Sequence, residues 1–349
     1  MSKPKRVRVA VIGLGMGRHH AKNYLGHPGA ELVALCDANP ELLAAQGDEL
    51  GVARRYTDAA QMLAKEKLDA VSVATPNKCH APLAIAALER GLHVLCEKPM
   101  AMNAAEGAAM VAAAARARRN LMINFSYRFS EMSYALRQQV DAGVLGEVYF
   151  GRTVWHRRRG IPGFGKAFTN KDLAGGGPLI DLGVHRLDLA LWLMGYPEPI
   201  AVSGAAYDPL ARAAADAAGA VYTVEDLACG LVKFANGASL IVEASWALNI
   251  AEREHMVTTL CGTKGGLVQR NVGGEYRFEA EVYTEEGGHL FTKRLDWSTI
   301  RVPSPYAEFI DSIVEQRQPM ATGEQGLKVM RILDGIYESA RTGREVRYD

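Results

Sequence analysis

The sequence lacks the features that mark a membrane, secreted or nucleic-acid-binding protein. None of its 349 residues belongs to an apolar run long enough to span a bilayer, and the run at residues 7–12 is too short for a secretory signal. The 40 Lys and Arg residues nearly match the 39 Asp and Glu residues, so no charge excess favours nucleic acid or anionic membrane. These absences predict a cytoplasmic protein without nucleic-acid or membrane partners.

Cysteine is also scarce, and its spacing excludes two further kinds of stabilisation. The chain has 5 cysteines, an odd number, and none forms a C-x-x-C pair. This pattern predicts neither a disulfide framework nor a structural zinc site. No cluster of His, Cys and Glu has ligand spacing either, so we expect no metal. The apolar content of 48% is sufficient for a sizeable core, and the length suits two domains.

The first third of the chain alternates short apolar runs with alanine-rich helical patterns. The pattern predicts strands at 7–12, 31–36, 70–74, 93–96 and 121–125, and helices at 18–25, 40–50, 59–65, 81–90 and 104–118. Alternation of strand and helix implies right-handed crossovers and a parallel, doubly wound sheet. We therefore predict an α/β domain over residues 1–125.

After residue 125 the pattern changes, and strands begin to follow one another. We predict strands at 147–156, 229–234, 238–246, 255–261, 276–283 and 289–295, and helices at 130–142, 306–315 and 325–340. Residues 211–218 are either a short helix or a loop. The pair Asn236-Gly237 between apolar runs indicates a hairpin. Consecutive strands favour an antiparallel or mixed sheet, so residues 126–349 are predicted to form a second α/β domain, with the C-terminal helices packing back on the first.

A glycine-rich turn follows the first predicted strand and opens the first predicted helix. Gly13, Gly15, Met16 and Gly17 lie in this turn, which aims backbone amides and a helix N-terminus at one point. That geometry binds pyrophosphate in Rossmann domains, although the third glycine comes one position earlier than in G-x-G-x-x-G. A glycine turn can also simply close a strand–helix unit.

Asp37 ends the second predicted strand, 24 residues after Gly13. An acid at this position hydrogen-bonds the adenosine ribose hydroxyls and repels a 2′-phosphate. The alternative is an Asp that caps the helix starting at Pro40. Strand, glycines and acid in register favour a dinucleotide site, with NAD preferred over NADP.

Polar residues follow the next two strands of the first domain. Thr75, Asn77 and His80 come after one strand, and Glu97 and Lys98 come after the next. Ligands of open α/β sheets lie outside the carboxyl ends of the strands, so we predict that these five residues bind the cofactor. Lys98 is expected at the nicotinamide end, and the alternative for it is a solvated lysine.

Three glycines and Pro178 precede a further helical pattern at residues 178–193. A continuous helix there would bury an apolar stripe at positions 180, 184, 187 and 191. Asp181 and His185 would then lie one turn apart on a neighbouring face. A carboxylate beside an imidazole can hold and tune a general base. The alternative is an ordinary capped helix start with a surface histidine.

Several short motifs occur in order along nearly the whole chain. They are Gly13-Leu14-Gly15, Thr75-Pro76-Asn77 with His80, Glu97-Lys98-Pro99, Tyr127-Arg128-Phe129, residues 175–188 and residues 339–346. Together they resemble the Gfo/Idh/MocA family, named for glucose–fructose oxidoreductase, inositol dehydrogenase and rhizopine catabolism proteins. The resemblance implies an N-terminal Rossmann domain and a C-terminal α/β domain whose large open sheet forms homodimers or homotetramers. It also implies NAD(P)-dependent hydride transfer at a sugar or cyclitol alcohol.

The same resemblance implies roles for three residues. Lys98 corresponds to the family's lysine between cofactor and substrate, and Asp181 and His185 correspond to its catalytic aspartate and histidine. We hypothesise that His185 is the general base, that Asp181 orients its ring, and that Lys98 polarises the substrate oxygen. Asp181 and His185 are thereby also expected to contact substrate.

Five further positions or runs are candidates for the substrate and cofactor sites. Arg128 and Trp155 are predicted to bind substrate, Trp155 by stacking on a sugar face. The run at positions 157–159, three arginines, either binds an acid or phosphate or forms a solvated basic loop. Tyr306 is predicted to reach the cofactor. Asp188 either supports the site or is a surface acid.

Two rival functions remain open at the level of sequence. One is an NAD-dependent glycosidase of the same family, working by transient oxidation, elimination and hydration without net consumption of NAD. The other is a non-catalytic NAD(H)-binding regulator, which the presence of Lys98, Asp181 and His185 disfavours.

Overall fold

The computed structural model describes residues 6–296 and 301–348, which form two compact units. One unit contains the described residues up to Asn124 together with Pro303–Met330. The other contains the described residues from Phe125 to Val302 and from Arg331 onward. Each unit has its own sheet.

The first unit is built on a six-stranded parallel sheet with helices along its connections. Its strands are β1 (Val7–Ile12), β2 (Ala30–Cys36), β3 (Arg55–Tyr56), β4 (Ala70–Val73), β5 (His93–Cys96) and β6 (Leu121–Ile123). Its first helices are α1 (Gly17–Gly26), α2 (Pro40–Leu50), α3 (Ala59–Lys65), α4 (His80–Leu88) and α5 (Ala104–Ala117). The strand order β3-β2-β1-β4-β5-β6 changes direction between β1 and β4, which is where open sheets of this kind bind ligands.

This sheet confirms the predicted doubly wound fold. The central strands are buried on both faces, and Val9, Ala10 and Val11 have no exposed surface. The predicted strand at 121–125 is shorter than expected and ends at Ile123. Strand β3 was not predicted, because two residues carry no readable alternation.

The second unit contains a nine-stranded mixed sheet, as expected from its consecutive strands. The strands are β7 (Val148–Arg157), β8 (Pro199–Tyr207), β9 (Leu227–Phe234), β10 (Ser239–Ser245), β11 (Glu254–Gly262), β12 (Gly265–Asn271), β13 (Phe278–Glu286), β14 (His289–Leu295) and β15 (Val346–Arg347). Their order is β14-β13-β12-β11-β7-β10-β9-β8-β15. Among the described strand pairs of this sheet, β7 and β10 alone run parallel. The predicted hairpin at Asn236-Gly237 joins β9 to β10.

Strands β8, β12 and β15 were not predicted from sequence. Strand β8 is rich in alanine and glycine, which have low strand propensity. Its glycine and that of β9 let the side chain of Ile336 approach the sheet backbone. A Cβ on Gly204 or Gly230 would lie within 2.7 Å of Ile336 side-chain atoms. Tertiary packing therefore decides the conformation of this segment.

The later helices are α6 (Glu131–Asp141), α7 (Lys171–Ala174), α8 (Val184–Leu193), α9 (Pro209–Ala217), α10 (Pro305–Val314) and α11 (Gly323–Thr342). Helix α9 resolves residues 211–218 as largely helical. None of the helices in the described ranges is long and apolar enough to cross a membrane.

The predicted continuous helix over 178–193 is wrong in its first turn. A π-helical turn at Leu179–Gly183 precedes α8. Gly183 lies close to the sheet at this point, because a Cβ there would be 3.2 Å from the Cβ of Ala244. Single π turns inside helices are frequent at functional sites.

Candidate active site

The glycine turn after β1 is required by close backbone packing. Gly13 has φ +87°, and a Cβ on it would lie 2.5 Å from the carbonyl oxygen of Ala74. A Cβ on Gly17 would lie 2.7 Å from Cγ1 of Val11, so this early third glycine still allows α1 to start against β1. Gly15 has open space around it. The turn is therefore tight on the sheet side and open at Gly15.

Asp37 contacts the glycine turn directly. Its carboxylate accepts the Leu14 backbone N–H at 2.7 Å and the Asn39 backbone N–H at 2.8 Å. The N-cap of α2 is Asn39, whose side chain accepts from the backbone amides of Glu41 and Leu42. The capping alternative for Asp37 is therefore wrong, and the acid stands beside the turn.

His80 braces the loops that follow β4 and β5. Its buried ring lies between the carbonyl oxygens of Thr75 and Pro99, with each nitrogen 2.7 Å from one of them. Burial lowers the pKa of His80, and the two carbonyl groups oppose that shift. Next to it, the Thr75 hydroxyl is buried without a hydrogen-bond partner among the described residues. Asn77 begins a short 3₁₀ turn that lies between Thr75 and His80 in the chain.

Glu97 is the centre of a buried polar cluster in the first unit. Its carboxylate accepts from Asn124 Nδ2 at 2.6 Å and lies 2.8 Å from His20 Nε2. Burial would raise the pKa of Glu97, but the bonds with His20 and Asn124 outweigh it and the pKa is lowered. Its second oxygen accepts the Lys98 backbone N–H at 3.3 Å, which fixes the backbone before the lysine side chain. Tyr306 packs its ring on that of His20, 4.6 Å between centroids.

These residues fit a dinucleotide. The turn at Gly15 is open at the N-terminus of a helix, where backbone N–H groups can bind pyrophosphate. Asp37 supplies acceptor oxygens at the end of β2. The orphaned Thr75 hydroxyl supplies a donor that a bound ligand would satisfy.

In the second unit, His185 lies in the first turn of α8 and packs against two aromatic rings. The Tyr127 centroid is 5.2 Å and the Trp155 centroid 5.8 Å from the His185 centroid. Asp181 belongs to the π-helical turn, and its carboxylate accepts from Trp246 Nε1 at 3.2 Å. Trp246 is fully buried, so it anchors this carboxylate. The predicted pair thus lies on one segment whose apolar residues are buried, while Asp181 and His185 are half-buried.

Glu225, which sequence reasoning missed, holds the start of this segment. Its buried carboxylate accepts from the backbone N–H groups of Gly177 at 2.9 Å and Leu179 at 3.1 Å, and from the Tyr337 hydroxyl at 2.8 Å. Burial raises the pKa of Glu225. A Cβ on Gly177 would lie 2.3 Å from the Glu225 carbonyl oxygen, and one on Gly176 would lie 2.2 Å from the Tyr337 hydroxyl. Because Gly176 and Gly177 lack a Cβ, the start of the segment can pack directly against Glu225 and Tyr337.

The structure corrects the prediction that Arg128 binds substrate. Arg128 has no exposed surface, and its guanidinium forms a two-point ion pair with the buried Asp188, at 2.9 and 2.6 Å. The Tyr196 hydroxyl also bonds to both residues. Because Arg128 is fully buried in this ion pair, it is a structural cation, and Asp188 is its partner rather than a surface acid.

Trp155 is likewise not an open platform for a sugar. It is 3% exposed, and its Nε1 donates to Glu254 at 2.6 Å. The Arg157 guanidinium covers its ring, 5.5 Å from the centroid, and also bonds to Glu254. Arg159 bonds to Asn249, so the arginine run does not converge on one anion site. The predicted stacking of sugar on Trp155 is therefore corrected to a buried wall behind His185.

Comparisons with known proteins agree with this architecture. Residues 7–125 match the model of an oxidoreductase family with an NAD-binding Rossmann fold, and residues 134–268 match the GFO/IDH/MocA C-terminal domain. D-glucoside 3-dehydrogenase of Escherichia coli K12 is 36% identical over 97% of both chains. D-apiose dehydrogenase of Paraburkholderia graminis is 31% identical over 98% of this chain and 90% of its own. A structure of levoglucosan dehydrogenase in complex with NADH matches with a TM-score of 0.84 and 26% identity, covering 99% of this chain and 100% of that one.

Fold and site together define an NAD-binding oxidoreductase. The chain belongs to the Gfo/Idh/MocA family. The predicted family, the Rossmann fold, the NAD cofactor and the class of NAD(P)-dependent sugar or cyclitol dehydrogenase are confirmed. The individual site residues stay predictions, apart from the corrections at Arg128 and Trp155.

Proposed function

We propose that the protein oxidises a ring hydroxyl of a glucoside or a closely related pyranoside to a ketone, with NAD as the acceptor. The observation that carries this proposal is His185, an imidazole that packs against both Tyr127 and Trp155 and lies one helical turn after the anchored carboxylate of Asp181 in the chain. The 36% identity to D-glucoside 3-dehydrogenase supports a glucoside, with C3 as the oxidised carbon.

Residues of the first unit are proposed to hold the cofactor. The backbone at Gly13, Gly15, Met16 and Gly17 would bind pyrophosphate, and Asp37 would bind the adenosine ribose. Thr75 and Asn77 would donate along the strand ends. His80 and Glu97 would act by fixing the loops that carry Thr75 and Lys98. NAD, when bound, accepts the hydride that leaves the carbinol carbon.

The chain's own residues supply the proton chemistry. His185 takes the proton of the substrate hydroxyl as the carbon–oxygen bond becomes double, and Asp181 orients its ring and stabilises the imidazolium. Lys98 donates to the substrate oxygen and stabilises the negative charge that develops there. The role of Lys98 rests on the family resemblance of the Glu97-Lys98-Pro99 motif.

A substrate panel tests this proposal. The purified protein with NAD should form NADH with alkyl glucosides faster than with cyclitols, anhydrosugars or sugar acids, and NMR of the product should show a ketone at C3. NADH formation with none of these compounds, or with cyclitols alone, would contradict the proposal. Hydrolysis of a glucoside without net NADH formation would favour the glycosidase alternative.

We further propose a homodimer or homotetramer formed through the face of the nine-stranded sheet that lies opposite α8. The Thr153 hydroxyl of β7 donates to the backbone of Arg186 in α8, so Thr153 is on the face that α8 covers. Side chains alternate along a strand, so the adjacent Arg152 and its cross-strand neighbour Ile241 are on the opposite face. Leu231, paired with Ile241, is 38% exposed on this face. We also propose a cytoplasmic location, consistent with the free cysteines.

Lysine substitutions test this interface. Leu231→Lys combined with Ile241→Lys should convert the oligomer to monomer in sedimentation velocity, because two desolvated charges would face their symmetry mates. Val314→Lys, at an exposed apolar residue of the first unit, is the matched control and should leave the mass unchanged. A wild-type monomer, or an unchanged oligomer in the double variant, would refute this interface.

A further inference from the structure

A compact group of four side chains includes Trp155, the wall behind His185, and three residues that have no role in the chemistry described so far. We call Glu254, Trp155, Arg157 and Tyr276 the Glu254 cluster. One carboxylate oxygen of Glu254 accepts from Trp155 Nε1 at 2.6 Å, Arg157 Nε at 2.9 Å and the Tyr276 hydroxyl at 2.9 Å. Arg157 Nη2 also donates to the Tyr276 hydroxyl at 2.7 Å.

The cluster is next to the general base and open at its far end. The Trp155 centroid is 5.8 Å from that of His185, and the Tyr276 centroid is 6.1 Å from that of Trp155. Trp155 and Arg157 are two residues apart on β7, so they lie on the same face of the sheet. Trp155 is buried, whereas Tyr276 is 55% exposed and the Arg157 side chain 23% exposed. The exposed residues of the Glu254 cluster, Arg157 and Tyr276, therefore continue the surface that Trp155 forms against His185.

The polar atoms left over in the cluster match a hydroxyl group. Among the described residues, Arg157 Nη1 and the second carboxylate oxygen of Glu254 have no hydrogen-bond partner. Arg157 Nη1 offers N–H donors and the Glu254 oxygen is an acceptor, so a hydroxyl group can accept from the first and donate to the second. A carboxylate or phosphate only accepts, so one of its oxygens would face the Glu254 oxygen without a proton between them.

The charges lead to the same conclusion. The guanidinium of Arg157 is already paired with the Glu254 carboxylate, and its Nε–Nη2 edge is engaged by Glu254 and Tyr276, so its positive charge is compensated before a ligand binds. A second negative charge would also be repelled by Glu254 at short range.

We propose that the Glu254 cluster is a substrate subsite that binds a hydroxyl group of a neutral pyranoside and discriminates against sugar acids and sugar phosphates. The proposal rests on the proposed function, because it places the subsite beside the ring whose hydroxyl is oxidised. Glu254 acts in two ways: it holds Arg157 and Tyr276 in position, and its carboxylate excludes anionic substrates.

The test compares kcat/KM for methyl glucoside and methyl glucuronide in wild type and in Glu254→Gln. Glutamine keeps the shape and an acceptor but leaves the Arg157 charge uncompensated beside the substrate. The ratio of kcat/KM for the neutral over the acidic substrate should fall about tenfold or more. The neutral substrate loses its hydrogen bond to the Glu254 carboxylate, and the acidic substrate is no longer repelled by it. Most of the change should appear in KM, because the cluster does not touch the reacting atoms.

A matched control is Glu198→Gln, which removes a carboxylate bonded to Arg331 at 3.1 Å in the same unit but outside the cluster. It should leave the ratio unchanged. Tyr276→Phe serves as a second variant on an exposed side chain, and it should raise KM for methyl glucoside with kcat retained. It keeps the test valid if Glu254→Gln does not fold.

The outcomes separate this proposal from the proposed function. An active wild type whose ratio is the same in Glu254→Gln and wild type would overturn the subsite, as would a wild type that prefers the glucuronide. If wild type turns over neither compound, the proposed function fails. Calorimetric binding of both compounds to the NADH complex then decides the subsite by the same ratio.

Discussion

Replacing His185 with alanine should lower kcat by about 10²–10⁴-fold, the contribution expected of a positioned general base. The side chain packs against Tyr127 and Trp155, and its loss removes the imidazole that is proposed to take the proton of the substrate hydroxyl. NADH binding should stay within about twofold of wild type, because the proposed cofactor contacts belong to the first unit.

The measurement pairs steady-state kinetics with a fluorescence titration of NADH. The control variant is His289→Ala, at an exposed histidine of β14, which should retain wild-type kcat. A His185→Ala variant with more than half of the wild-type kcat would exclude the histidine as the base. A large loss of NADH affinity would instead indicate a structural defect.

The nucleotide half of the site was readable from sequence because its signals are local. Gly13 and Asp37 directly follow buried strands, Gly17 begins the next helix, and parallel strands place their carboxyl ends along one edge of the sheet. Burial on both faces also makes such strands nearly continuous apolar runs, which are easy to recognise. Gly17, the third glycine of the turn, still packs against Val11 although it comes one position earlier than in G-x-G-x-x-G.

The second unit was less readable because its decisive contacts join distant parts of the chain. Arg128 pairs with Asp188, 60 residues away, and Glu225 binds Gly177, 48 residues away. Nothing in the local pattern distinguishes a buried arginine in an ion pair from one that faces a substrate. The Tyr127-Arg128-Phe129 motif therefore predicts a substrate role for an arginine that the fold buries in an ion pair.

The π-helical turn shows the same limit at the level of a single helix. Apolar spacing over 178–193 fits a continuous α-helix. The same spacing does not reveal that one turn of the segment is π-helical. The turn lies where Gly183 closes against Ala244 and where Glu225 binds the preceding amides. Packing against the sheet and one buried carboxylate fix the geometry of Asp181.

Replacing Asp188 with asparagine should lower the free energy of unfolding of the second unit by about 3–5 kcal/mol. The change leaves the Arg128 guanidinium buried without its counter-charge, and an uncompensated buried cation is far more costly than a missing surface pair. Urea denaturation followed by tryptophan fluorescence measures it. The described tryptophans Trp155, Trp192 and Trp246 all lie in the second unit, so they report on this unit.

A double variant distinguishes the loss of pairing from a loss of packing. Arg128→Met with Asp188→Leu removes both charges and keeps apolar volume beside Phe125 and Trp192, which now flank the guanidinium. It should recover most of the stability lost in Asp188→Asn, because well-packed apolar residues replace buried ion pairs at little cost. A single variant that loses less than about 1 kcal/mol would contradict the assignment of Arg128 as a buried, paired cation. A double variant as unstable as the single would show instead that the guanidinium contributes through its aromatic contacts.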